Sequence, residues 1–219
     1  MTKRRDQFAE LLKISSVTWS DYLLSNSRHS RASDFQKKQV EFRNLSITTG
    51  QTEAKRLKSS GQSLTDFLKG NEIKILPLEV HEQELSGRLL MAEFSPPNKI
   101  YLGEEVISAG EKTLTSLNFS VITNGASIRE IILAHEIFHL IEDLAPTPLF
   151  TREAHYRLYK GLPFISHLRE LSEIGAMAFA QEYFNLTWSP FSLNYLFKLN
   201  QSETEAEQFY QQVMSFKQK

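Results

Sequence analysis

The chain has 219 residues, a formal net charge of -1 and no cysteine. That length fits one domain, or one domain with a helical appendage, and allows a sizeable core. Disulfides and thiolate metal sites are excluded, no overall basic excess points to nucleic acid, and no apolar run reaches the eighteen or so residues of a membrane helix.

Residues 7–68 read as mostly helical, with Phe8, Leu11 and Leu12 followed by Tyr22, Leu23 and Leu24, then a polar stretch from Ser25 to Ser33. The segment Phe8 to Leu23 has the look of half a helix-turn-helix. It shows no turn glycine and no well-formed preceding helix, so an ordinary packing helix is expected there, although Lys3, Arg4 and Arg5 lie just upstream. Ser63 to Leu68 reads as a short capped helix closed by Gly70. The period then changes. Ile73 to Val80, Leu89 to Phe94 and Ile100 to Leu102 read as three strands, the last two joined by the turn Ser95-Pro96-Pro97-Asn98. A small, largely antiparallel sheet is expected, in an α+β rather than a doubly wound arrangement. Val106 to Leu117 reads as a further helix, and residues 121–125 lead into the next one.

That next helix carries the chemistry. Ser127-Ile128-Arg129-Glu130 is a capping box, and it opens an apolar run from Ile131 to Ile141 that contains His135-Glu136-Ile137-Phe138-His139. Residues four apart share a helix face, so His135 and His139 can hold one metal ion, with Glu136 beside the open coordination position as general base. The run has almost no polar face, and a helix apolar all round is normally buried. Buried imidazoles and carboxylates need partners, which a metal supplies. A pair of hydrogen-bonded core histidines with a salt-bridged glutamate would have to explain spacing, cap and burial separately.

A catalytic zinc takes a third protein ligand. The longer H-E-x-x-H-x-x-G-x-x-H pattern is ruled out by Glu142 and Ala145. The next acidic helix offers Glu170 and Glu173. Glu173 is continuous with the stripe Ala176, Met177, Ala180 and Phe184, so it is the preferred ligand. Glu170, one turn earlier, could replace it, support it or lie in solvent. Small residues at 175, 176, 178 and 180 let this helix approach another closely. After His139, Asp143 either orients an imidazole or ends the helix at the surface, whereas Glu142 is expected in solvent. Between the two site helices lie His155, Tyr156 and Tyr159, with His167 just beyond. Each could donate a hydrogen bond to an oxyanion or simply pack on the core.

The HEIFH motif, the upstream Ile100-Tyr101-Leu102-Gly103-Glu104-Glu105 and the downstream run from Glu173 to Phe184 resemble the ImmA/IrrE family of metallo-endopeptidases. That family follows its A-H-E-x-x-H helix with a helix of the form E-x-x-A-N-x-F-A. Glu173, Ala176, Phe179 and Ala180 match it, and Met177 replaces the usual asparagine, which removes a polar contact near the site. The resemblance covers residues 50–186 and implies a zincin-like core with His135, His139 and Glu173 on Zn2+. It also implies Glu136 as base and site-specific cleavage of a regulatory protein such as a transcriptional repressor. The expected organisation is a helical extension over residues 1–50, a metallopeptidase domain over 51–190 and a helical tail over 191–219. Partner specificity could reside in the outer segments.

In the reaction this implies, Glu136 takes a proton from the attacking water and delivers it to the leaving amine. The strand Ile100 to Leu102 could grip an extended substrate by edge pairing. Two rival readings are a DNA- or protein-binding regulator whose zinc is structural or vestigial, and a zinc amidohydrolase acting on a small substrate. The N-terminus has no uninterrupted apolar stretch of the signal-peptide kind, so a cytoplasmic protein without a membrane partner is expected.

Overall fold

The computed structural model describes residues 2–27, 30, 33–78, 91–153, 155–157 and 165–217. Four helices open the chain: α1 (Thr2–Leu12), α2 (Ser16–Ser25), α3 (Ser33–Ser59) and α4 (Leu64–Gly70). Ser15 Oγ accepts the Thr18 amide at 3.1 Å and starts α2, and Ser63 does the same for Asp66 at the head of α4. Gly70 is the last residue of α4, and Asn71 caps it. The segment from Phe8 to Leu23 takes in the end of α1 and most of α2. Both helices turn their apolar faces inward, through Phe8 and Leu11 on α1 and Trp19 and Leu24 on α2.

The sheet is mixed rather than largely antiparallel. β2 (Ala92–Ser95) and β3 (Lys99–Leu102) form the expected hairpin, whereas β1 (Lys74–Pro77) pairs with β3 in parallel. The order β1-β3-β2 makes β3 the central strand. The reason is local: a tight turn dictates antiparallel pairing only for the strands it joins, and no such turn links β1 to β3. Val80, Leu89 and Leu90, expected in these strands, lie outside the described residues.

After the sheet come α5 (Glu104–Ser116), a 3-10 turn (Ser120–Thr123) and α6 (Ile128–Leu144). Then follow the short helix α7 (Phe150–Glu153), the antiparallel pair β4 (His155–Arg157) and β5 (Ile165–His167), and α8 (Arg169–Tyr183). A 3-10 turn at Pro190–Ser192 leads into α9 (Leu193–Gln201) and α10 (Glu203–Lys217). The protein is thus mostly helical with a small sheet, an α+β arrangement. Among the described residues no helix is long and apolar enough to cross a membrane.

One hydrophobic cluster runs from Phe8 to Val213 and takes in residues of α1 to α4, β2, β3, α5, α6, α8, α9 and α10. The boundary expected at residue 50 falls inside α3, which continues unbroken to Ser59. The chain after Pro190 is equally integrated, since Leu193, Tyr195, Leu196 and Phe197 are buried and Tyr195 Oη donates to Gln7 Oε1 at 2.8 Å. Lys3 and Arg4 pair with Glu207 and Glu203 of α10, and Arg5 stands over the Phe119 ring. The basic N-terminal residues are therefore engaged within the fold.

α8 is wedged between α3 and α6 because glycine lines both contacts. A Cβ added at Gly50 would lie 2.1 Å from the Gly175 carbonyl oxygen, and one added at Gly175 would lie 2.7 Å from the Phe138 ring. Ala176 and Ala180 are fully buried, so the small-residue face of α8 does allow the close approach that its sequence suggests. A second, smaller cluster of Leu24, Phe35, Phe42, Leu168, Leu171 and Ile174 packs α8 against α2 and α3.

At Gly50 the obstruction is backbone, which cannot swing aside as a side chain can. Gly50→Ala is expected to destabilise the protein by about 1–3 kcal/mol or more. A thermal melt then shows a midpoint lowered by several degrees, and an unchanged midpoint contradicts this account of the α3–α8 contact.

Candidate metal centre

The capping box forms as the sequence predicts. Ser127 Oγ accepts the Glu130 amide at 3.1 Å, and the Ser127 amide donates to Glu130 Oε2 at 2.8 Å. This fixes where α6 begins, about two turns ahead of His135. Ile131, Leu133, Ala134, Ile137, Phe138, Leu140 and Ile141 are all buried, so α6 runs through the interior. His135 and His139 then emerge together on one face, with their Nε2 atoms 3.2 Å apart.

α8 brings Glu173 to the same point. Glu173 Oε2 lies 3.2 Å from His135 Nε2, and one donor atom from each of His135, His139 and Glu173 falls within 4.8 Å of the other two. Burial pushes the Glu173 carboxyl up, but the hydrogen bond from His135 and the charges of His135, His139 and Arg169 outweigh it and hold the pKa at about 2. Arg169 Nε sits 3.4 Å from the other carboxylate oxygen, one helical turn back. Glu170 is half-buried in the wall of the same cavity and is not part of this convergence.

Glu136 is 5% exposed and lies in the cavity wall beside the two histidines. Its Oε2 accepts the Phe94 amide of β2 at 2.7 Å. Burial pushes its carboxyl above the ordinary range, against the pull of His135 and His139. The strand next to the site is therefore β2, an edge strand among the described residues. β3, expected from the sequence to offer a free edge, has neighbours on both sides.

The largest departure from expectation concerns Glu142, which the sequence placed in solvent and the fold buries, 5% exposed. Its carboxylate lies 3.2 Å from His139 Nδ1 and accepts from Ser172 Oγ at 2.6 Å, Arg152 Nε at 3.1 Å and Thr151 Oγ1. Burial pushes the Glu142 carboxyl up, yet the hydrogen bonds from His139, Ser172 and Thr151 prevail and hold it below the usual range. For His139, burial pushes the pKa down, but the Glu142 hydrogen bond and the surrounding carboxylates carry it above 6.5. Asp143 is exposed, so it does not orient an imidazole. One residue along a helix is about 100° of rotation, enough to separate the two acids.

Ser172 and Thr151 carried no sequence signal, since hydroxyl residues near a helix start or in a loop are ordinary. The spacing of Glu142 from His139 was the clue available: three residues along a helix share a face. The backbones of His155 and His167 face each other across β4 and β5, with Tyr156 opposite Ser166. Tyr159, and the side chains of His155, Tyr156 and His167, lie outside the described residues. Met177 lines the cavity.

The donor set fits a metal ion. Two imidazole nitrogens 3.2 Å apart can share only one proton, whereas a cation accepts a lone pair from each and from the Glu173 carboxylate. Two nitrogens and one oxygen, without thiolate, match the ligand types of a His2Glu zinc site. The cavity has a volume of about 1320 Å³. Comparison of the chain with protein-family models, curated proteins and solved structures gave no match.

Proposed function

We propose that the protein is a zinc-dependent endopeptidase with a zincin-like core formed by α6, α8 and β2. The observation that carries this reading is the convergence of His135, His139 and Glu173 on one point, with the buried carboxylate of Glu136 in the same cavity. Zinc at that point would polarise a peptide carbonyl and make water acidic enough to attack near neutral pH. Glu136 accepts the proton of the attacking water and passes it to the leaving amine. A polypeptide substrate suits the site better than a small amide does. The cavity exceeds the roughly 300–1,000 Å³ usual for small-molecule pockets, and β2 presents an edge beside Glu136. The sequence resemblance narrows the substrate to a regulatory protein such as a repressor.

Purified protein tests the reading directly. Elemental analysis is expected to find one zinc per chain, and Glu136→Gln to keep that zinc while losing cleavage of host polypeptides by about 10²–10⁴-fold. N-terminal labelling of a host lysate reads the cleavage. If no new N-termini appear with the wild-type protein, and chelation unfolds it, the zinc is structural and the peptidase reading fails.

The site also predicts a pH dependence. Metal binding needs His139 neutral, and its pKa lies above 6.5, while Glu173 at about 2 stays ionised throughout the neutral range. Lowering the pH through the raised His139 value is therefore expected to weaken zinc binding by up to about tenfold per pH unit for that proton. Chelator competition across the range measures it, and an affinity that stays flat down to about pH 6 would contradict the assignment of His139 as a ligand.

A further inference from the structure

We infer that Glu142 is a positioning residue: it and Ser172 fix the tautomer of His139, with Nδ1 protonated and the Nε2 lone pair aimed at the metal point. The inference rests on the reading of His139 as a ligand, and it goes further by locating what prepares that ligand.

The hydrogen-bond directions lead to it. Ser172 Oγ donates to Glu142 Oε2 at 2.6 Å, so its hydrogen is committed and it can only accept from His139 Nδ1, 3.0 Å away. Glu142 Oε2, 3.2 Å from the same nitrogen, carries no proton in its ionised form and likewise only accepts. Both neighbours of Nδ1 thus demand a donor there. In the neutral ring that puts the proton on Nδ1 and leaves Nε2 free, whether or not a metal is present.

Glu142 is in turn held from three other sides. Thr151 and Arg152 of α7 and Ser172 of α8 all donate to it, so its oxygens cannot rotate away from His139 without leaving the buried hydroxyls of Thr151 and Ser172 unpaired. The two imidazoles differ in this respect. The Nδ1 of His135 is buried and has no hydrogen-bond partner among the described residues, so only the His139 half of the pair is fixed by a carboxylate. A carboxylate on the outer nitrogen of a ligating imidazole sharpens its orientation and basicity, and losing it commonly costs about 10–100-fold in metal affinity.

The test uses zinc affinity by chelator competition and the imidazole signals in long-range 1H–15N spectra of the full chain. Glu142→Gln is expected to remain folded, bind zinc about 10–100-fold more weakly, and lose the slowly exchanging Nδ1 proton of His139. Ser172→Ala, which removes a hydroxyl without disturbing a charge, is expected to weaken zinc binding by about two- to tenfold, and it keeps the proposal open to refutation should the Gln variant fail to fold. If the wild type binds zinc and neither Glu142→Gln nor Ser172→Ala weakens that binding or moves the His139 Nδ1 proton, the positioning role is overturned while the metal site stands. A His139 protonated at Nε2 in the metal-free wild type also overturns it. If the wild type binds no zinc, the metal reading itself falls.

Discussion

The contact on which the site depends is the backbone approach of α8 to α3 and α6 at Gly175. Gly175 faces Gly50 on one side and the Phe138 ring on another, with spacing that admits no Cβ at either glycine. Glu173 and Ser172 lie two and three residues earlier on the same helix. The lateral position of α8 therefore sets how far each reaches toward His135 and His139. Interiors are packed to crystal-like density, so a helix held by glycine-to-backbone contact has little freedom to drift. The convergence within 4.8 Å thus follows the packing of α8 against α3 and α6.

Three carboxylates and two imidazoles share this interior, and burial acts on every carboxylate in the same direction. Their partners separate them. Glu142 and Glu173 each accept from several donors or lie against positive charge, and both are held low. Glu136 has one backbone donor and a neighbouring carboxylate, and it is pushed up. Divergent environments of this kind separate groups that must stay charged from a group that must exchange a proton. In the proposed reaction that division assigns Glu173 to the metal, Glu142 to His139 and Glu136 to proton transfer.

Much of this was legible in the sequence because the signals are local. The capping box set the start of α6, the four-residue spacing placed both imidazoles on one face, and the stripe through Ala176 and Ala180 set the face of α8 that turns inward. The Pro-rich turn between residues 95 and 98 marked the β2–β3 hairpin. What was hidden is non-local. The parallel pairing of β1 with β3 has no turn to announce it, so the central strand was taken for an edge. Glu142 was assigned to solvent because its burial depends on Thr151, Arg152 and Ser172, which converge from two other helices. A carboxylate is normally exposed unless paired, and the pairing partners were the part a linear reading does not supply. Residue 50 lies within α3, which runs on to Ser59.

The hydrogen bond from Phe94 to Glu136 ties the edge strand to the chemistry in the proposed reaction. An extended peptide that adds to β2 pairs with its outward amides, and the Phe94 amide is already given to Glu136 Oε2. Seating a substrate strand there exchanges that bond for one to a peptide carbonyl. Glu136 then loses a donor that favours its ionised form, while water leaves the cavity. Both changes would favour its protonated form. A small amide too short to reach β2 leaves the Phe94 bond intact and the carboxylate restrained. In the proposed reaction the same contact would favour long substrates over short ones through the base itself.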